Sequence, residues 1–122
     1  MLEEKEVKIW IDGSGWNGKE SKYCVAFEDG NTYSEKFSKE HTNNEMEYEA
    51  LLSLLRGTSI IPGDEIFSDS QLVVNQVNGK WRVREPRLFP LCQEAQRLMK
   101  LREVSLKWIP REENKAGHLL GT

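Results

Sequence analysis

The chain has 122 residues, 38% hydrophobic and 30% charged, which suits one domain with a single modest core. No apolar run approaches the roughly 18 residues that cross a bilayer, and the charged opening "MLEEKEVK" speaks against a secretory signal. The two cysteines, Cys24 and Cys92, lack a C-x-x-C spacing and read as reduced residues of a soluble cytoplasmic protein.

The net charge of −3 conceals an asymmetry. Residues 1–78 hold 7 Lys/Arg against 15 Asp/Glu, whereas residues 79–111 hold 9 against 3. Such a basic stretch can steer a polyanion, or it can be the solvated faces of helices; charge alone leaves both readings open.

"VKIWID" alternates polar and apolar residues and reads as a strand ending at the turn-prone "DGSG". "KYCVAFE" and "TYSEKFS" are two further strands joined through "DGN", a hairpin signal. "TNNEMEYEALLSLLRG" then turns helical: Thr42 or Asn43 caps it, Met46, Ala50, Leu51, Leu54 and Leu55 form its apolar stripe, and Gly57 lies past its end. "DEIFSD" is a short strand, and Ser68, Asp69 or Ser70 caps the helix in "QLVVNQVNG". A third helix begins after Pro86 or near Pro90, and "VSLKWIP" is a last strand stopped by Pro110. The order β-β-β-α-β-α-α-β, without repeat or linker, predicts one α/β domain over residues 1–122: a mixed sheet with helices packed on it. Trp10 and Trp108 fall on strands and are expected in the core; Trp16, in a turn, and Trp81 could each be packed or exposed.

Three carboxylates stand out by position. Asp12 ends the first strand, Asp69 ends the fourth, and Glu47 lies one turn into the first helix on the face it shares with Asn43, beside the apolar stripe. Alone, Asp12 reads first as a turn residue and Asp69 as an N-cap. Together they can converge at one edge of the sheet, where three like charges call for a cation. Oxygen donors of this kind favour Mg²⁺ or Mn²⁺, and a pair of such ions can drive phosphodiester hydrolysis.

"IDGSG", "TNNEMEYEAL", "SDSQLVVNQVNGKW" and "IPREENKAGHLL", taken in order and spacing, resemble the motifs of type 1 ribonuclease H, from about Val7 to Leu120. The resemblance implies a five-stranded mixed sheet, its first three strands antiparallel, with helices on both faces. It also implies hydrolysis of the RNA strand of RNA/DNA hybrids with two divalent ions; a monomer is expected. Asp12, Glu47 and Asp69 match three of the family's four metal-binding acids. Asn43, Asn44 and Gln71 match residues that read the minor groove and its 2′-hydroxyls, the groups that tell RNA from DNA. Gly13 and Ser14 would lie beside the RNA strand, and Thr42 would grip a DNA phosphate. "NGKWRVREPR" stands where longer members carry a basic protrusion. Lys80, Arg82, Arg84 and Arg87, with Trp81 either stacking or filling a core gap, keep that character.

Two departures from the family pattern matter. The loop "IPREEN" lacks the histidine many members carry, leaving Arg111 as the nearest candidate to assist. Counting from Asn114, Gly117 takes the small position and His118 the place of the fourth acid; a one-residue slip would put Gly117 there instead. An imidazole ligand would favour Mn²⁺ and weaken metal binding at lower pH. The same change would also suit a catalytically weakened hybrid-binding module; a third reading, an interaction domain inside a larger replication or reverse-transcription protein, is disfavoured by the self-contained length and the lack of a linker. The tail ends soon after Leu120, so the last segment is expected to be frayed.

Overall fold

A computed structural model describes residues 5–120; the first four residues of the charged opening and the last two of the tail lie outside the described residues. Strands β1 (Lys8–Ser14), β2 (Ser21–Phe27) and β3 (Thr32–Phe37) are followed by helix α1 (Asn43–Arg56), strand β4 (Glu65–Ser68) and helix α2 (Gln71–Val77). A 3₁₀ turn (Pro86–Leu88) leads into α3 (Phe89–Arg102), with Pro90 in its first turn, so the third helix uses both expected starts. Strand β5 (Ser105–Trp108), a second 3₁₀ turn (Arg111–Glu113) and α4 (Lys115–Leu120) complete the described residues.

The five strands form one sheet in the order β3-β2-β1-β4-β5. β1 pairs antiparallel with β2, and β2 with β3; β4 runs parallel to both β1 and β5. The sheet is therefore mixed, as the order of elements implies, with its first three strands antiparallel, as the resemblance implies. Because alternate residues of a strand face opposite ways, Ile9 and Ile11 join the larger core with α1 and α3, while Trp10 joins Cys24, Ala26, Ala116 and Leu120 beneath α4. Each fully buried leucine of α1, such as Leu51, Leu52 or Leu55, stabilises the fold by about 2–5 kcal/mol relative to alanine.

Local chemistry fixes the helix ends near the acids. Thr42 caps α1: its hydroxyl accepts from the Glu45 N–H, and the Glu45 carboxylate accepts from the Thr42 N–H. Ser70 caps α2, its Oγ accepting from the Val73 N–H at 3.2 Å, so Asp69 is not the cap. At the far end of α1, Arg102 donates to the carbonyls of Leu55, Gly57 and Ile60.

Two expectations need correction. Lys115–Leu120 is helical, because Asn114 turns its side-chain oxygen onto the N–H groups of Ala116 and Gly117. Trp108 is 45% exposed, not core: β5 is an edge strand, and the indole N–H reaches back to the Asp69 carbonyl at 3.1 Å.

Candidate active site

Parallel pairing of β1 and β4 brings their C-terminal ends side by side, which sets Asp12 and Asp69 at the same edge of the sheet. α1 supplies Glu47 from above. Asp12 is 2% and Glu47 7% exposed, and Asp69 is partly buried. One carboxylate oxygen from each of the three lies within 4.8 Å of the others. The close approach of α1 to β1 depends on Gly13, where a Cβ would overlap the backbone of Met46 and Glu47. In that contact the Gly13 N–H donates to Glu47 Oε1, and next to it the Gly15 N–H donates to Asn43 Oδ1.

Burial, then the negative charge of Asp12 and Asp69, pushes the Glu47 carboxyl well above its ordinary value despite the Gly13 hydrogen bond. Ionising all three acids together is therefore opposed by burial and by their mutual repulsion. Oxygen donors crowded in this way fit a hard divalent cation.

A residue that sequence reading used only as a counting mark ties the site together. Asn114 is fully buried, and its side-chain amide donates to the Ile11 carbonyl and to Asp69 Oδ2, each at 2.9 Å. An asparagine just ahead of a helical run was the available signal, but it predicts only a cap. Gly117 is buried with its Cβ direction facing Asp12, where a methyl would stand 3.5 Å from Oδ2. That is the small position of the pattern. His118 is exposed and, among the described residues, the metal-capable group contains only the three acids. The last turn of α4 thus presents the His118 side chain to solvent, apart from the three acids.

The acids open into a groove of about 300 Å³ that Gly13, Ser14, Asn43, Asn44 and Arg111 also line. Asn43 leads from it to a second hollow beside Trp16, His41, Thr42 and Arg87. Asn44 leads to a third, where Lys80, Arg82 and Arg84 surround Trp81. Trp81 is 48% exposed there, so it does not fill a core gap. Gln71 stands exposed on the first turn of α2, outside the lining of the acidic groove. The basic stretch divides: Arg102 serves the end of α1, Arg97 pairs with Glu94 and Lys107 with Glu65, while Lys80, Arg82, Arg84, Arg87 and Arg111 face the hollows.

Residues 29–122 match the family model described as reverse transcriptase-like. The ribonuclease H1 of the halophilic archaeon Halobacterium salinarum superposes with a TM-score of 0.81 at 25% identity, covering 95% of this chain and 94% of that one. LC11 ribonuclease H1, solved in complex with an RNA/DNA hybrid, gives 0.75 at 29% identity, covering 94% and 93%. A bifunctional protein of Mycobacterium tuberculosis is 37% identical over 76 residues, covering 60% of this chain but 21% of its own length. Its N-terminal ribonuclease H domain superposes with a TM-score of 0.69 at 30% identity, covering 89% of this chain and 86% of that structure. The chain thus spans about a fifth of the curated relatives it matches.

Proposed function

Since the chain belongs to the reverse transcriptase-like family and has the ribonuclease H fold, we propose that it is an endonuclease hydrolysing the RNA strand of RNA/DNA hybrids. The observation that carries this reading is the convergence of Asp12, Glu47 and Asp69 within 4.8 Å in a groove also lined by the amides of Asn43 and Asn44 and by Arg111. The resolved hybrid complex of LC11 ribonuclease H1 supports the choice of substrate.

In this reading Asp12, Glu47 and Asp69 hold divalent ions, Mg²⁺ or Mn²⁺. When bound, such ions activate water and stabilise the leaving oxygen of a phosphodiester. Asn43 and Asn44, on the first turn of α1, meet the minor groove and its 2′-hydroxyls, with the backbone of Gly13 and Ser14 beside the scissile strand. Thr42 and Arg87 border the second hollow and receive a phosphate of the other strand. Lys80, Arg82 and Arg84 neutralise further phosphates, and Trp81 packs against the sugar-base surface. Arg111 reaches the acidic groove and is placed to pair with the phosphate under attack.

A second reading is favoured by one observation, the placement of His118 outside the acid cluster. With three ligands, the chain would grip hybrids and cut them feebly. Cleavage of an end-labelled hybrid in Mg²⁺ and in Mn²⁺ separates the two. Cutting by the parent but not by Asp69→Asn is the expected result. Hybrid binding without cutting in either metal would replace the nuclease by the binding module.

A further inference from the structure

Asn114 has no side-chain bonding capacity to spare. A primary amide offers two N–H donors and two acceptor lone pairs. The Nδ2 group of Asn114 faces the Ile11 carbonyl and Asp69 Oδ2, both at 2.9 Å, and its Oδ1 faces the N–H groups of Ala116 at 3.0 Å and Gly117 at 3.4 Å. The two N–H groups at the head of α4 require the oxygen on their side, so the amide cannot flip. The side chain that starts α4 is thereby obliged to present a donor to Asp69.

We propose that Asn114 is a positioning residue for the metal site: its buried amide holds Asp69 Oδ2 and so fixes the plane of that carboxylate beside Asp12 and Glu47, the residues that would hold a cation. The inference rests on the metal-dependent reading above and adds to it a residue that acts through Asp69. The indole of Trp108 fixes the main chain of the same residue, donating to the Asp69 carbonyl at 3.1 Å. Asp69 follows a four-residue strand, and a carboxylate in that position has several rotamers to choose from. Asn114 selects one, as outer partners of metal ligands generally do.

A substitution that keeps the cap and removes the donor to Asp69 tests this. Serine is as good an N-cap as asparagine, but its shorter side chain does not extend to the carboxylate. Mn²⁺ binding is measured by calorimetry on the parent, Asn114→Ser, Asp69→Asn and the double variant. The expected result is a loss of Mn²⁺ affinity of about 10- to 100-fold in Asn114→Ser, and less than about twofold further change when the same substitution is made in Asp69→Asn. In hybrid cleavage, Asn114→Ser lowers kcat and leaves KM unchanged, since the grooves that hold the substrate are untouched. Equal losses in both backgrounds, or parental Mn²⁺ affinity in Asn114→Ser, would overturn the proposal. A parent that binds no Mn²⁺ would instead overturn the functional reading, and this inference with it. If Asn114→Ser does not fold, the parent still decides: its Asn114 side-chain amide resonances should shift on Mg²⁺ addition and stay still in Asp69→Asn. Resonances that ignore Mg²⁺ in the parent refute the coupling.

Discussion

The two ends of the parallel pair β1–β4 both bury carboxylates, with opposite consequences. At the starting end stands Asp64, 1% exposed, whose Oδ1 accepts from the Val7 N–H and whose Oδ2 accepts from the Ile61 N–H, each at 2.9 Å. Both of its oxygens meet backbone donors, so its charge is answered inside the protein and clamps the approaches to β1 and β4. At the finishing end, Asp12, Glu47 and Asp69 face one another. The lesson is that burial alone does not mark a functional acid; what surrounds the carboxylate does.

Substitution should separate the two ends sharply. Glu47→Gln is expected to lower hybrid cleavage by on the order of 10³-fold, as loss of a preorganised electrostatic group does, with stability kept or raised. Asp64→Asn should leave cleavage per folded molecule intact while lowering unfolding free energy by about 1.5–3 kcal/mol, because one of two charge-assisted hydrogen bonds becomes an N–H facing an N–H. Denaturant titration and hybrid cleavage on both proteins check this. Similar profiles for the two variants would break the comparison.

Thermal melting sharpens it further. The Glu47 carboxyl is held above its ordinary value, chiefly by burial and then by Asp12, so the folded state binds its proton more tightly than the unfolded chain does. That contribution to stability is fully present below the unfolded value and is lost as pH rises through the elevated folded one. Without divalent ions, the melting temperature should therefore fall as pH climbs through this window, and Glu47→Gln should flatten the fall. Mg²⁺ added at the alkaline side should restore the loss in the parent by mass action. An Mg²⁺-insensitive melting temperature would count against the cluster as a cation site.

The cations divide as the acids do. Arg102 answers three carbonyls at the end of α1, whereas Lys80, Arg82 and Arg84 line an open hollow with Trp81. Using Asp69→Asn to prevent cutting, hybrid affinity of an Arg84→Ala derivative should show a log–log salt slope shallower by about one unit. An unchanged slope would remove Arg84 from the interface.

Much of this was legible before the fold was seen, and the reasons are local. The hairpin, α1 with a cap at Thr42 or Asn43, and the places of Asp12, Glu47 and Asp69 at strand ends and on a helix face follow from periodicity and turn chemistry, which act over a few residues; their joint role came only from the family resemblance. What escaped was long-range. That Ser70 caps α2, and so spares Asp69 for the cluster, depends on which of three adjacent polar residues the sheet edge leaves in place. That Trp108 is exposed follows from the edge position of β5, which alternation within one strand cannot reveal. Asn114 reaches Ile11 across 103 residues of sequence, beyond any spacing rule.

His118 gives the smallest predicted effect and the finest test of the comparison. A count along the motif puts it where a fourth acid would stand, but α4 turns Gly117 toward Asp12 and His118 toward solvent. An exposed side chain in the last turn of a short helix, outside the acid group, has the energetic weight of a surface residue, within about 0.5 kcal/mol. His118→Ala should therefore change Mn²⁺ affinity by less than about twofold, since 1.4 kcal/mol corresponds to a factor of ten. The pH dependence of Mn²⁺ binding should likewise be the same in parent and variant, because no imidazole is being displaced by protons at the site. A tenfold loss of affinity, or a binding step near neutral pH that vanishes with the imidazole, would mean that the ring swings over the acids when an ion arrives. The finishing end of the sheet would then complete its charge balance with a movable neutral ligand, in contrast to the fixed backbone donors around Asp64.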